Sequence, residues 1–495
     1  MGSIRLETLP LTHAYAGLGE EFVAPGRPRP LRGARLLHLS EAGCARLGLE
    51  RGDIDPVQAA RWFNGEEDLP GARPVAMAYS GHQFGIWAGR LGDGRALGLG
   101  EVATAEGPVD LQLKGSGPTV FSRGGDGRAV WRSTLREYVA GEALAGLGVP
   151  TTRALALIVS DEPVEREELE EGALLVRLSP CLVRIGTFEH FHAAGRTDLV
   201  RRLFGYCLGR WFPHLTGRSR RAEHFLLEVV ERNARLVAAW MAVGFCHGVL
   251  NTDNISILGE TLDFGPYAFL DELRADFVSN CTDVDGRYAF ARQPEVMLWN
   301  LQRLAVCLAP LVPERRLEEL HEAVAERFGA AFGEEYGARM AARLGLAAGT
   351  PGLLELVGET LALLDGARVD WPGFWWTLAR EPLEAPEPTG LLELGADREA
   401  LLGWWSSYRE ARARASAGGD LAGAEAVMRR SNPRFIARGH LLQRIIAGVG
   451  DGARREGLEE LLEVLRSPFD EHPGREHLAR GPVGAERALQ LSCSS

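Results

Sequence analysis

Strand-type and helix-type patterns are segregated along this chain, and that order limits the folds open to it more than any other feature. From Ala76 to about Leu178 short alternating apolar segments and glycine-punctuated turns surround a single helical stretch. Glycines at 81, 85, 89, 92, 94, 98 and 100 punctuate a hairpin pattern that ends in the apolar run Ala96–Val102. Beyond Arg201 the apolar residues recur at helical spacing, interrupted by a compact strand-turn-strand pattern at Ile255–Phe264. A β-rich lobe followed by an α-rich lobe is an α+β arrangement. Residues 1–75, with turns between Pro25 and Pro30, read as an N-terminal extension, 76–178 as the β-rich lobe and 179–380 as the helical lobe. A Pro-rich connector, Glu381 to Thr389, opens a last helical region over 381–495, and no internal repeat is found.

Composition narrows the function. With 495 residues, 45% hydrophobic and 25% charged, the chain can bury a large core without staples. Its formal charge of −12 argues against a nucleic-acid binder, which needs an excess of phosphate-neutralising cations. There is no run of about 18 apolar residues. The start, Met1-Gly2-Ser3-Ile4-Arg5, lacks the basic-then-apolar layout of a signal peptide, so no membrane partner and a cytoplasmic protein are expected. The seven cysteines are scattered without a C-x-x-C pair, which suggests neither zinc nor a disulfide framework, and Cys493 stands third from the end.

Against 54 arginines there is one lysine, Lys114. Ammonium and guanidinium groups are not interchangeable where a phosphate oxygen is touched closely. In Val109-Asp110-Leu111-Gln112-Leu113-Lys114 apolar and polar residues alternate, so Lys114 projects from the non-core face of a strand. Gly115 and Gly117 follow it directly, and Gly92-Asp93-Gly94-Arg95 falls at a turn of its own. Residues Arg128–Leu147 read as a helix that stops at Gly146, Gly148 and Pro150, and the acidic stretch Asp161–Glu171 reads as a solvated hairpin tip.

Polar residues concentrate in His247-Gly248-Val249-Leu250-Asn251-Thr252-Asp253-Asn254, just before a hairpin with Gly259-Glu260 at its turn. Pairing Leu258 with Thr261 would set Asn254 beside Gly265, so that Asn254 and Asp263 share the open end. An amide oxygen and a carboxylate there form a hard site suited to Mg²⁺ on nucleotide phosphates. Lys114, Glu137, Asn254 and Asp263-Phe264-Gly265 follow the order used by the kinase fold: strand lysine, helix glutamate, loop asparagine, D-F-G. One departure stands out. Kinase loops carry an aspartate two places after His, and here that place is Val249, with the carboxylate moved to Asp253. The residues alone leave open a different transfer chemistry, a true phosphotransferase, or an inactive kinase-like ATP-binding scaffold.

Other candidates have ordinary readings. Glu137 competes with Glu142 on the same helix and could simply pair with Arg132 or Arg136. Arg177 and Arg184 read as strand-edge cations, His247 as a structural hydrogen-bonder, and His82 as ambiguous. Gly98–Ala103 mimics a dinucleotide fingerprint but continues into a strand, and Trp371, Trp375, Trp376, Trp404 and Trp405 read as core.

Long ordered blocks of the chain resemble the selenoprotein O (SelO) family of kinase-like protein adenylyltransferases. They include Met77–Gly85, Leu91–Ala96, Leu111–Gly117, Gly125–Val130, His247–Asn254, Gly286–Phe290 and the closing Ser-Cys-Ser-Ser. The resemblance implies a protein-kinase-like two-lobed fold with helical N- and C-terminal extensions. It also implies AMP transfer from ATP to Ser, Thr or Tyr hydroxyls of proteins, with ATP inverted relative to kinases and Mg²⁺, or Mn²⁺, as cofactor. By the same resemblance Lys114 contacts phosphates and Glu137 holds it, Gly92, Gly94, Arg95, Asp126 and Gly127 line the nucleotide, and Arg177 and Arg184 grip phosphates or the inverted adenosine end. Asp253 is then the general base, with Asn254 and Asp263 as metal ligands. Many bacterial members pair a loop cysteine with the tail cysteine. Here Ser279 takes the loop position and Cys281 lies two residues later, which leaves a Cys281–Cys493 bridge open.

Overall fold

The computed structural model describes residues 4–416, 421–488 and 491. Its main sheet is antiparallel and uses β1 (Val23–Pro25), β2 (Arg35–Leu39), β3 (Val75–Met77), β6 (Ala96–Thr104), β7 (Gly107–Lys114), β8 (Ala129–Val130), β9 (Arg153–Glu165) and β10 (Leu169–Ser179). The order is β1-β3-β6-β7-β10-β9-β2, with β8 added to β10, while β4 (Ser80–Gln83) and β5 (Ile86–Arg90) form a separate hairpin. The fold is thus mixed helix and sheet, as the segregated pattern predicts.

The alternation in β7 works as expected on its apolar side: Val109, Leu111 and Leu113 are buried in one core with Ile158, Leu174, Val176 and Leu178. Burying each such side chain contributes roughly 1.5–3 kcal/mol. The opposite side carries Gln112 and Lys114. Register then puts Lys114 across from Ala96 on β6 and Leu175 on β10, and Gln112 across from Arg177. Helix α3 comes third in a series with α1 (Glu41–Leu47) and α2 (Pro56–Asn64); it spans Trp131–Gly146 and buries Leu135, Tyr138, Val139 and Leu144 against β9 and β10.

The N-terminal extension departs from the helical expectation. It contains α1 and α2, but β1 and β2 complete opposite edges of the main sheet. Pro25 ends β1, and a residue without an N–H is tolerated at a sheet edge. The acidic stretch differs too, because β9 runs to Glu165 and β10 starts at Leu169, leaving a short tip.

Helices follow: α4 (Ile185–Ala193), α5 (Thr197–Trp211), α6 (Arg221–Val243), α7 (Gln293–Leu308) and α8 (Leu317–Leu344). The central one is α6, with Phe225, Val229, Leu236, Val237 and Trp240 buried as it packs on α7 and α8. It stops at Gly244, whose φ of +74° and approach to the Trp371 indole exclude a side chain. Trp371, Trp375, Trp404 and Trp405 are buried in a second core, as predicted, whereas Trp376 lies outside it under Arg380 and Arg434.

The hairpin after Asn254 has a different register from that expected. Ile255, not Leu258, pairs with Thr261, leaving a wider loop instead of a two-residue turn. Tertiary pairing decides this: Ser256 bridges Arg184, Thr261 bridges Thr151, and the Trp240 indole N–H donates to Thr261 Oγ1 at 2.9 Å.

Candidate active site

Lys114 reaches across from β7 to two carboxylates. Its ammonium lies 2.5 Å from Glu137 Oε2 on α3 and 3.0 Å from Asp263 Oδ1 after the wide loop. Arg177, from β10, donates through Nε and Nη2 to Glu137 Oε1 at 2.8 and 2.6 Å, and through Nη2 to Asp263 Oδ1 at 2.7 Å. Glu137 is therefore a buried member of this network and not a partner of its helix neighbours; Arg132 pairs with Glu170 and Arg136 with the Tyr267 carbonyl. Its rival Glu142 is committed to Arg153. Arg184 stacks over Tyr79 at 4.3 Å and stands 3.6 Å from Asp263 Oδ2. Three cations thus face two carboxylates. Burial raises the pKa of Asp263, but Arg177, Lys114 and Arg184 outweigh it and hold the group well below the ordinary carboxylate range. Burial works against the charged form of Arg177, yet Asp263 and Glu137 keep it firmly protonated.

These groups close one end of a cavity of about 710 Å³. Lys114, Arg177, Asp253, Asn254 and Asp263 line it, together with Gly92, Gly94, Arg95, Asp126 and Gly127. Glu137 and Arg184 stand behind this lining and orient it. Gly92 and Gly127 are dictated by space: a Cβ would meet the Phe121 ring at 2.3 Å in one case and the Gly117 carbonyl carbon at 2.1 Å in the other, and both have positive φ. Backbone therefore comes close to the cavity, as a polyanion cradle requires. Asp126 caps the Arg128 N–H at 2.8 Å and takes a forked pair from Arg166, which holds its pKa down. Arg166 comes from the acidic tip, so that segment serves the cavity. Arg95 and Arg123 line it with no carboxylate partner among the described residues.

Two residues of the site, Asp93 in the cavity lining and Gln112 behind it, escape the sequence reading. Asp93, buried between Gly92 and Gly94, accepts from the Met77 N–H and the Gln112 amide at 3.1 Å each, and Gln112 in turn accepts from Arg177 Nη1 at 2.9 Å. Only Gln112 carried a signal, its shared strand face with Lys114.

The loop 247–254 divides its duties. His247 is buried, which lowers its pKa to about 4; the neutral ring donates through Nε2 to the Leu262 carbonyl at 3.0 Å. It is structural, as read from sequence. Val249 lines the cavity. Asp253 is also buried, and burial raises its pKa to about 7 against the Gln83 hydrogen bond and Arg184. Such a carboxylate is a competent proton acceptor near neutrality. Asn254 donates from Nδ2 to the Val249 carbonyl at 3.1 Å, which leaves its Oδ1 as an acceptor toward the cavity.

Oxygen donors at Asn254 and Asp263 fit a hard divalent cation. Asp263 has Oδ1 occupied by Lys114 and Arg177, while Oδ2 has only the longer Arg184 contact. Among the described residues no cluster of three or more His, Cys, Asp or Glu could hold a metal, so such an ion would complete its shell with phosphate and water. No described helix is long and apolar enough to cross a membrane. Cys281 is free and exposed, and its backbone N–H donates to the Leu491 carbonyl at 2.8 Å; Cys493 lies outside the described residues.

An α+β fold whose cleft gathers cations over glycine-rich backbone, with two oxygen donors and a separate buried carboxylate, is built for nucleotide-dependent group transfer. The family model described as "Protein adenylyltransferase SelO" matches residues 5–466, and the chain belongs to this family. It is 42% identical to the "Protein nucleotidyltransferase YdiU" of Bordetella petrii over the whole of both chains. Similar relatives of the same description are those of Myxococcus xanthus, 43% identical over 99% of each chain, and Pectobacterium carotovorum, 43% identical over 96% of this chain and 97% of its own.

Proposed function

We propose that this nucleotidyltransferase moves AMP from ATP to Ser, Thr or Tyr hydroxyls of proteins, using a kinase-like two-lobed arrangement with residues 76–178 and 179–380 as its lobes. The observation that carries the reading is the place of the carboxylates: Lys114, Arg177 and Asp263 form one network, and of the two loop residues that line the cavity, 249 is a valine while the carboxylate is Asp253. Lys114 and Arg177 neutralise phosphate oxygens, and Glu137 keeps Lys114 extended. Gly92, Gly94 and Gly127 let backbone approach the nucleotide, while Arg95, Asp126 and Arg166 border it. Asp253 takes the proton as the acceptor oxygen bonds to the α-phosphorus. The bond to the bridging oxygen breaks, and pyrophosphate leaves with its electron pair toward the cations around the cleft. Asn254 and Asp263 would hold Mg²⁺ or Mn²⁺, which supplies charge neutralisation on the polyphosphate.

Incubation with ATP labelled at either end tests this. Label from the α-phosphate on protein, with pyrophosphate release, is expected, and Asp263→Ala should abolish it. Label from the γ-phosphate would make the protein a phosphotransferase, and no label with retained ATP binding would make it a scaffold.

A further inference from the structure

The hairpin β4–β5 leaves the main sheet and lies across the loop that carries Asp253. His82 anchors it there through Thr252 of the loop and Glu189 of α4, which also bond to each other. The His82 N–H donates to Thr252 Oγ1 at 2.7 Å, the Thr252 hydroxyl donates to Glu189 Oε2, and Glu189 Oε1 meets His82 Nδ1 at 2.7 Å. The Phe84 N–H points to Tyr288 Oη at 2.8 Å and Asn251 Oδ1 at 3.3 Å. Phe84 has a φ of +51°, a conformation that a bulky residue holds only when its surroundings impose it.

The hairpin on one side and α4 on the other wall in Asp253. A Cβ on Gly81 would stand 2.9 Å from Asp253 Oδ1, and one on Gly186 3.0 Å from Asp253 Cα. Oδ1, pressed against the hairpin, is buried and has no side-chain hydrogen-bond partner among the described residues. Oδ2 accepts from the Gln83 amide at 3.2 Å, and Gln83 itself lines the cavity.

We infer that Gln83 is the positioning residue of the transfer step, fixing the Asp253 carboxylate so that Oδ2 alone, with its second lone pair free, meets the acceptor hydroxyl. The inference rests on reading Asp253 as the base. It also gives the Met77–Gly85 segment and His82 a purpose: His82, Thr252 and Glu189 hold the hairpin, and the hairpin holds the base. Gln83 touches neither phosphate-binding cation, so its effect belongs to the acceptor side of the reaction.

The test compares Gln83→Met, which keeps length and packing but cannot donate, with Gln83→His, whose Nε2 can occupy the place of the amide nitrogen. Transfer by the full chain is measured with a pool of Ser-, Thr- and Tyr-containing peptides, and nucleotide affinity with an ATP analogue blocked between the α- and β-phosphates. We expect Gln83→Met to lose roughly 10- to 100-fold in kcat, the scale of a misplaced catalytic group, with KM for ATP and analogue affinity within about twofold of the parent. Gln83→His should recover most of the loss. Unchanged kcat in Gln83→Met, equal losses in both variants, or a loss confined to KM for ATP would overturn the inference. Asp253→Asn is measured beside them. If it stays fully active, the base assignment fails and the inference with it; if it is inactive while Gln83→Met is not, only the inference fails.

Discussion

Replacing Glu137 by Gln keeps the shape of the side chain and removes its charge from beneath Lys114 and Arg177. In the parent the carboxylate accepts three hydrogen bonds, one from Lys114 and two from Arg177, with only 5% of the residue exposed. Breaking a buried ion pair costs about 3–5 kcal/mol because the remaining charge is left uncompensated. Here Asp263 stays within 3.0 Å of Lys114 and 2.7 Å of Arg177, so the lower end, about 3 kcal/mol, is the expected loss. Felt wholly in the placement of Lys114, that is roughly a hundredfold in transfer rate. Glu142→Gln is the control. Glu142 is as buried, on the same helix, and takes two hydrogen bonds from Arg153 at 3.0 and 2.7 Å, but its partner, unlike Lys114 and Arg177, does not line the cavity. Denaturant unfolding should show both variants destabilised, while labelled-ATP transfer falls only in Glu137→Gln. Equal transfer in Glu137→Gln and the parent, or equal losses in the two variants, would refute the reasoning.

Asp253→Asn should lower transfer by about 10²- to 10⁴-fold, the range of general-base catalysis, with ATP affinity measured by calorimetry little changed; a comparable loss of affinity would contradict its role. Gly127→Ala forces a Cβ to 2.1 Å from the Gly117 carbonyl carbon at a φ of +68°, so at least about 1–3 kcal/mol of stability and most nucleotide binding should be lost; an unaltered melting temperature and affinity would show the close approach to be dispensable. His247 is held at about 4 in the fold, below its ordinary value near 6.5. The unfolded chain therefore binds the extra proton first, and about 3 kcal/mol of stability present above pH 6.5 should drain away as pH falls toward 4. Denaturant curves across that range should be flatter for His247→Gln, and identical slopes would remove the assignment.

Sequence reading succeeded where the signal was local. Alternation along β7 placed Lys114 on the non-core face of its strand, and the pattern over 128–147 placed Glu137 on a helix. Choosing Glu137 over Glu142 needed the family resemblance, since both are buried on one helix and differ only in which strand residue they meet. The register of the hairpin after Asn254 was misread because its partners are remote: Thr261 answers to Thr151, and Ser256 to Arg184. Arg166 and Asp126 meet across 40 residues, and nothing in the acidic tip announces that pairing. β1 and β2 escaped because Val23–Pro25 is three residues long and Arg35–Leu39 has a one-sided apolar end without alternation. Gln83 was hidden because its segment reads only as a glycine-punctuated hairpin, and its partner Asp253 lies 170 residues away.

The central claim is that Lys114 and Arg177 on one side and Asn254 and Asp263 on the other enclose one nucleotide polyphosphate whose α-phosphorus faces Asp253. A crystal structure with Mg²⁺ and an ATP analogue blocked between the α- and β-phosphates measures this directly. The account predicts phosphate oxygens on Lys114 Nζ, with the α-phosphorus nearer than the γ-phosphorus to Asp253 Oδ2. A γ-phosphorus beside Asp253, or a nucleotide bound away from Lys114, would contradict it.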